Sequence, residues 1–153
     1  MTWMKLDRLK HKGKTLPQAF FADPDWFFFT MENTRFSWHP KLYSEAQYLY
    51  DCARSIRIPQ GDDYLVEYNI HPYTGRCIGF DIVPRSRPPH EGATPTVRDN
   101  VIDMSFPYRA SDYDKQGNRF FVNSLKLAIY GKSNVRMTKA RCEEFFENPK
   151  NFK

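Results

Sequence analysis

The sequence predicts an α+β fold, and three observations predict it. Apolar residues recur at helical spacing over 41–56, with Leu42, Ala46, Leu49, Ala53 and Ile56 on one face. Residues 64–71 alternate with period two, Tyr64, Val66, Tyr68 and Ile70 against Glu67, Asn69 and His71. The turn Pro72-Tyr73-Thr74-Gly75 then returns the chain through 76–83. The C-terminal third carries two further apolar stripes on either side of a basic loop. The expected architecture is a small antiparallel sheet, hairpin 64–83 plus a strand near 101–105. It packs with the long central helix 41–56 and a C-terminal helix pair, in one domain spanning 1–153.

The first thirty residues are punctuated most densely. Gly13, between Lys12 and Lys14, takes positive φ without Cβ strain and suits the corner of a tight turn. If residues 9–14 are extended, Lys10, Lys12 and Lys14 share one side and Leu9 and His11 the other. Thr15 and Gln18 have the spacing of a capping box. Asp23-Pro24-Asp25 reads as a second helix start: Asp23 as N-cap, Pro24 at the first helical position, Asp25 favourable to the dipole. Trp26, Phe27, Phe28, Phe29 and Met31 then load a short helix with apolar surface, as Phe20 and Phe21 do on the one before. Helices this short need a surface to pack on.

Residues 34–40 read as a turn-rich connector, and Pro59-Gln60-Gly61 stops the central helix. Gly79, inside the returning strand, marks a bulge or a close backbone approach. Residues 84–99 hold four prolines and His90-Glu91-Gly92, a loop long enough to be functional or mobile. Residues 112–117 have turn chemistry. In 119–130 Phe120, Phe121, Leu125, Ala128 and Ile129 form a partial apolar stripe that Gly131 closes. Thr138 caps a last helix through about Glu147 with Cys142, Phe145 and Phe146 on its inner face. Helix, basic loop, helix is loosely like a helix-turn-helix, with a longer loop than that motif uses.

Composition excludes several classes. Cys52, Cys77 and Cys142 are odd in number and far apart, without zinc-knuckle or redox spacing, which implies reduced thiols in a reducing compartment. Charge at Lys5 and Arg8 stands where a signal peptide needs apolar residues, and no stretch approaches a membrane span. The expectation is a cytoplasmic protein with no membrane partner.

Net charge is +5, and its distribution matters more than its sum. Residues 1–14 carry five basic residues against one acid, and 125–141 carry five against none. Basicity held in two segments near the chain ends can present one electropositive face to phosphates. Lys10, Lys12, Gly13 and Lys14, with Lys132, Arg136, Lys139 and Arg141 around a helix start, are therefore the candidate nucleic-acid-binding residues. Trp38 and Tyr73 are candidate base-stacking aromatics.

The run Leu9-Lys10-His11-Lys12-Gly13-Lys14-Thr15-Leu16, with Asp23-Pro24-Asp25-Trp26 downstream, resembles the small C-terminal domain of exodeoxyribonuclease X-like exonucleases. The family's lysines fall on Lys10, Lys12 and Lys14, its central glycine on Gly13 and its aspartate-proline on Asp23-Pro24. Leu9 stands in place of its first glycine and His11 in place of a tyrosine. The likeness covers residues 5–32. It implies an accessory piece that touches DNA or a partner, and it carries no active site with it.

Catalytic signatures are sparse. Asp62, Asp63, Glu67 and Asp81 are the carboxylates a two-metal nuclease would draw on, but Asn69 stands where its lysine belongs. His90-Glu91 lacks the second histidine of a zinc protease, and Gly131-Lys132-Ser133 lacks the upstream glycine of a phosphate loop. Cys77 and His71 face each other across a hairpin end as an imaginable thiol–imidazole pair. No catalytic residue, metal site or cofactor is assigned. The expected function is binding of nucleic acid, DNA first, or of another polyanion. The alternatives are a protein–protein adaptor or mobile-element inhibitor docking through the aromatic helix 24–32, and a small metal-dependent nuclease using Glu67 and Asp81.

Overall fold

A computed structural model describes residues 2–89, 92, 96–111 and 114–153. His90, Glu91 and Pro95 of the long loop, and Asp112 and Tyr113 of the expected turn, lie outside the described residues. The fold is α+β. In chain order the elements are α1 (Leu16–Ala22), α2 (Pro24–Asn33), α3 (Pro40–Ala53), β1 (Ile56–Arg57), β2 (Tyr64–Ile70), β3 (Cys77–Pro84), β4 (Val97–Asp99) and β5 (Val101–Ile102). They are followed by α4 (Phe106–Ser111), α5 (Lys115–Tyr130), α6 (Lys139–Glu147) and a 3-10 turn, Pro149–Asn151.

The hairpin forms as its alternation predicts, with Glu67 opposite Asp81 and Tyr68 opposite Phe80. The third strand differs from expectation. β4 completes the sheet in the order β3-β2-β4, and the segment near 101–105 instead supplies β5, which pairs antiparallel with β1. Ile56 is also bridged to Phe152, and Lys153 N donates to Ser55 O, so the C-terminus is stitched to the end of α3.

Two aromatic centres share one core. In the first, Phe20 meets Phe27, Phe28 and Phe146 edge-to-face at centroid distances of 5.5, 5.9 and 5.3 Å, locking α1, α2 and α6 together. In the second, Tyr68 stacks on Phe106 at 4.1 Å and Phe121 packs against Phe80 at 5.0 Å, joining the sheet to α4 and α5. The close approach expected at Gly79 is made by α5. With φ at 123°, a Cβ there would lie 2.8 Å from Ser124 Oγ, whose hydroxyl already accepts from Phe80 N. The aromatic helix expected as a docking face gives its side to the core: Trp26, Phe27, Phe28 and Met31 are buried, and Phe29 is 49 % exposed.

Helix α5 starts four residues earlier than its apolar stripe suggests. Asp114 is the N-cap, its Oδ1 accepting from Gly117 N at 3.0 Å, so residues 115–117 are helix and not turn. That early start sets the site, because it puts Lys115 and Arg119 on the same helical face as Val122 and Lys126.

Candidate nucleic-acid interface

The N-terminal basic run is a folded loop and not a strand. Lys5 bridges Thr15, and Leu6 N donates to Lys14 O while Gly13 N donates to Leu6 O, both at 2.8 Å. Between these bonds the chain turns, with Gly13 at φ 90° as its corner residue type requires. Lys10, Lys12 and Lys14 therefore do not line one side of a strand. Lys10 Nζ sits 2.7 Å from Asp23 Oδ2. The buried His11 places Nε2 3.1 Å from the same oxygen and its ring edge on Trp26 at 4.7 Å. Asp23 stands at the N-cap of α2 without a side-chain cap bond. A buried carboxylate needs such partners, so half of the basic motif is taken up in holding the turn to the start of α2. Lys12 and Lys14 remain exposed.

The C-terminal basic segment is partly engaged as well. Thr138 caps α6 as expected, accepting from Arg141 N at 3.2 Å. Lys139 pairs with Glu143 at 3.0 Å, and Glu143 also accepts from Thr15 Oγ1 at 3.0 Å, tying α6 to the first turn of α1. Arg141 donates to Arg136 O at 2.8 Å and lies over the Tyr130 ring. Lys132 and Arg136 are exposed.

One cation from each basic segment, Lys14 and Lys126, lines a common recess. Lys14, Gln18, Phe21, Ala22, Val122, Lys126, Met137 and Cys142 line a recess of about 320 Å³ between α1, α5 and the entrance to α6. It adjoins a second recess of about 210 Å³, whose walls include Asp23 and Pro24 on one side and Lys115, Asn118, Arg119, Asn123 and Lys126 on the other. Phe21, Ala22, Val122 and Lys126 belong to both, so the two recesses run on from one another along α5. Among the described residues no carboxylate forms an ion pair with Lys14, Lys115, Arg119 or Lys126. Of the sequence-predicted residues, Lys14 lines this groove. Lys10, Lys12, Gly13, Lys132, Arg136, Lys139 and Arg141 line neither recess. Lys115 escaped the sequence reading because 112–117 looked like a turn, and Arg119 because only the apolar face of 119–130 was read; the spacing 115, 119, 122, 126 was the available signal.

Behind the smaller recess lies a buried polar layer. Asp25 is fully buried, and burial pushes its carboxyl up to about 7, against the partial relief of Asp114 N donating to Oδ2 at 2.6 Å and of the facing Asn118 amide. Among the described residues, Asp25 Oδ1 and Asn118 Nδ2 find no hydrogen-bond partner in good geometry. Asp114 is held below the usual carboxylate range by the Arg76 guanidinium, 2.6 Å away.

The other candidate chemistries are occupied structurally. Glu67 accepts from Arg98 Nε at 2.7 Å opposite Asp81, and among the described residues no group of three or more His, Cys, Asp or Glu side chains is arranged to hold a metal ion. Burial pushes the Cys77 thiol up to about 11, and its sulfur bonds to Gly79 O, while His71 Nδ1 accepts from the Tyr73 and Thr74 amides of its own turn. Cys142, at the floor of the larger recess, is pushed up to about 12 by burial. Neither sulfur is a thiolate nucleophile near neutral pH. Tyr73 is 93 % exposed, whereas Trp38 is half-buried and donates to Asp7. Among the described residues no helix is long and apolar enough to cross a membrane.

No family profile, curated protein or solved structure matches the chain.

Proposed function

We propose that the protein binds nucleic acid, single-stranded DNA first, along the groove between α1 and α5. The observation that carries this reading is a row of cations, Lys14, Lys126, Arg119 and Lys115, that line two adjoining recesses and have no ion pair among the described residues. From Lys115 to Lys126 the helix rises about 16 Å at 1.5 Å per residue, a span suited to successive phosphates of an extended strand. The row carries charge without base-edge recognition, so binding is tolerant of sequence and steeply salt-dependent. Lys12, Lys132, Arg136 and Arg141 add exposed positive charge near both chain ends and steer a polyanion toward the groove. The likeness of residues 5–32 to the C-terminal domain of exodeoxyribonuclease X-like exonucleases belongs to the same proposal: an accessory DNA contact, working in the cytoplasm.

A labelled single-stranded oligonucleotide titrated with the protein at increasing salt tests the reading. Affinity that falls steeply with salt supports it, and absence of binding at low salt rejects it. A second reading, an adaptor for another protein, is favoured by the exposure of Phe120 and Leu127 on α5 and Ile78 on β3. Recovery of one stoichiometric protein partner without oligonucleotide binding selects it. Cleavage that requires a divalent metal and is abolished by Glu67→Gln would instead establish the nuclease alternative.

A further inference from the structure

We infer that the smaller recess, walled by Asp23 and Pro24 and by one face of α5, is a seat for a terminal phosphate, the dianionic phosphomonoester at the end of a nucleic-acid strand. For the source of the phosphate this rests on the nucleic-acid reading; the seat itself rests on the residues that line it.

Three features argue for it. The recess is lined by Lys115, Arg119 and Lys126 from one helical face, and by Asn123. Along the axis Arg119 stands about 6 Å from Lys115 and about 10 Å from Lys126, so it is the central cation with a long-chain lysine to either side. Each ammonium offers three donors, and the guanidinium offers a planar fork that matches two phosphate oxygens. The facing carboxylate, Asp23, already has Lys10 Nζ 2.7 Å and His11 Nε2 3.1 Å from its Oδ2, and neither partner lines the recess. A dianion at Arg119, with a lysine to either side, gains more than the monoanionic diester of an internal linkage does.

Continuity supplies the second feature. The recess shares Phe21, Ala22, Val122 and Lys126 with the larger one, which leads to Lys14. A strand laid from Lys14 over Lys126 thus arrives in the small recess, where its terminal phosphate would meet Arg119. Size is the third. The recess offers about 210 Å³, room for a phosphate and part of its sugar.

The test measures fluorescence anisotropy at low salt with one short single strand carrying a 5′-phosphate, a 3′-phosphate or hydroxyls at both ends. Adenosine monophosphate and inorganic phosphate serve as further probes. One phosphorylated end is expected to bind about tenfold tighter than the hydroxyl form. Arg119→Gln is expected to lower affinity for the phosphorylated strand more than for the hydroxyl one, whereas Lys14→Gln lowers both alike. Circular dichroism checks that both variants are folded, as exposed positions allow.

Strands that bind equally well with every end overturn the phosphate seat and leave the groove reading standing. Monophosphate or inorganic phosphate binding that depends on Arg119, with no oligonucleotide binding, keeps the seat, assigns it to a small phosphorylated molecule and ends the nucleic-acid reading. Binding of none of the probes overturns both.

Discussion

Replacing Asp25 with asparagine tests the buried layer behind the groove, and the structure gives the size of the effect. Asp25 is fully buried, with Asp23 and Asp114 as the nearby carboxylates, and its pKa is raised from 3.8 to about 7, burial being the largest cause. One pKa unit corresponds to about 1.4 kcal/mol, so ionising Asp25 in the folded state costs roughly 4 kcal/mol more than in the unfolded chain. The sign follows from proton counting. Between about pH 4 and pH 7 the unfolded chain has lost this proton while the folded one keeps it, so stability falls as pH rises. The asparagine side chain would stay neutral throughout, and its carbonyl oxygen can still accept from Asp114 N. Urea unfolding of the wild type and Asp25→Asn across this range therefore gives a stability difference that moves in the variant's favour by up to roughly 4 kcal/mol, other titrations largely cancelling. A difference that stays flat from about pH 4 to pH 8 would refute the reasoning.

Gly79→Ala is expected to cost about 1–3 kcal/mol in chemical denaturation, because φ is 123° and the new methyl would lie 2.8 Å from Ser124 Oγ. Phe20→Ala removes the ring on which α1, α2 and α6 converge, and a loss of about 3–5 kcal/mol is expected in the same assay. Lys10→Gln withdraws one partner from the buried Asp23; it is expected to lower stability by about 1–3 kcal/mol while weakening oligonucleotide binding less than Lys14→Gln does. Equal losses of binding for Lys10→Gln and Lys14→Gln would place both lysines on the ligand.

The fold was legible wherever one periodicity ruled a long enough segment. Tyr64, Val66, Tyr68 and Ile70 gave the hairpin, and the stripe from Leu42 to Ile56 gave α3, which ends at Ala53 and not at 56 because Ile56 pairs with Ile102 as β1. Short elements were not. Val97–Asp99 is too brief to show alternation, and Phe106–Ser111 contains a proline in an otherwise turn-like run, so β4 and α4 are tertiary outcomes of packing on β2, β3 and α2. The basic turn misled for a different reason. Alternating lysines suggest a strand, but the hydrogen bonds from Leu6 and Gly13 and the burial of His11 against Trp26 fold it back on α2. The sequence located positive charge correctly at both ends and could not say which cations carboxylates would take. Asp23, remote from Lys10 in sequence but adjacent in the fold, and Glu143, one helical turn after Lys139, decide that.

The groove claim is tested most directly by comparing the salt dependence of single-strand DNA binding for the wild type and a Lys14→Gln, Arg119→Gln, Lys126→Gln triple variant. With about 0.7 counterions released per phosphate neutralised, four cations predict a log–log slope near −3 for the wild type, and the variant is expected near −1 with much weaker affinity at low salt. A variant that binds with the wild-type slope and affinity would contradict the account and move the interface elsewhere on the molecule.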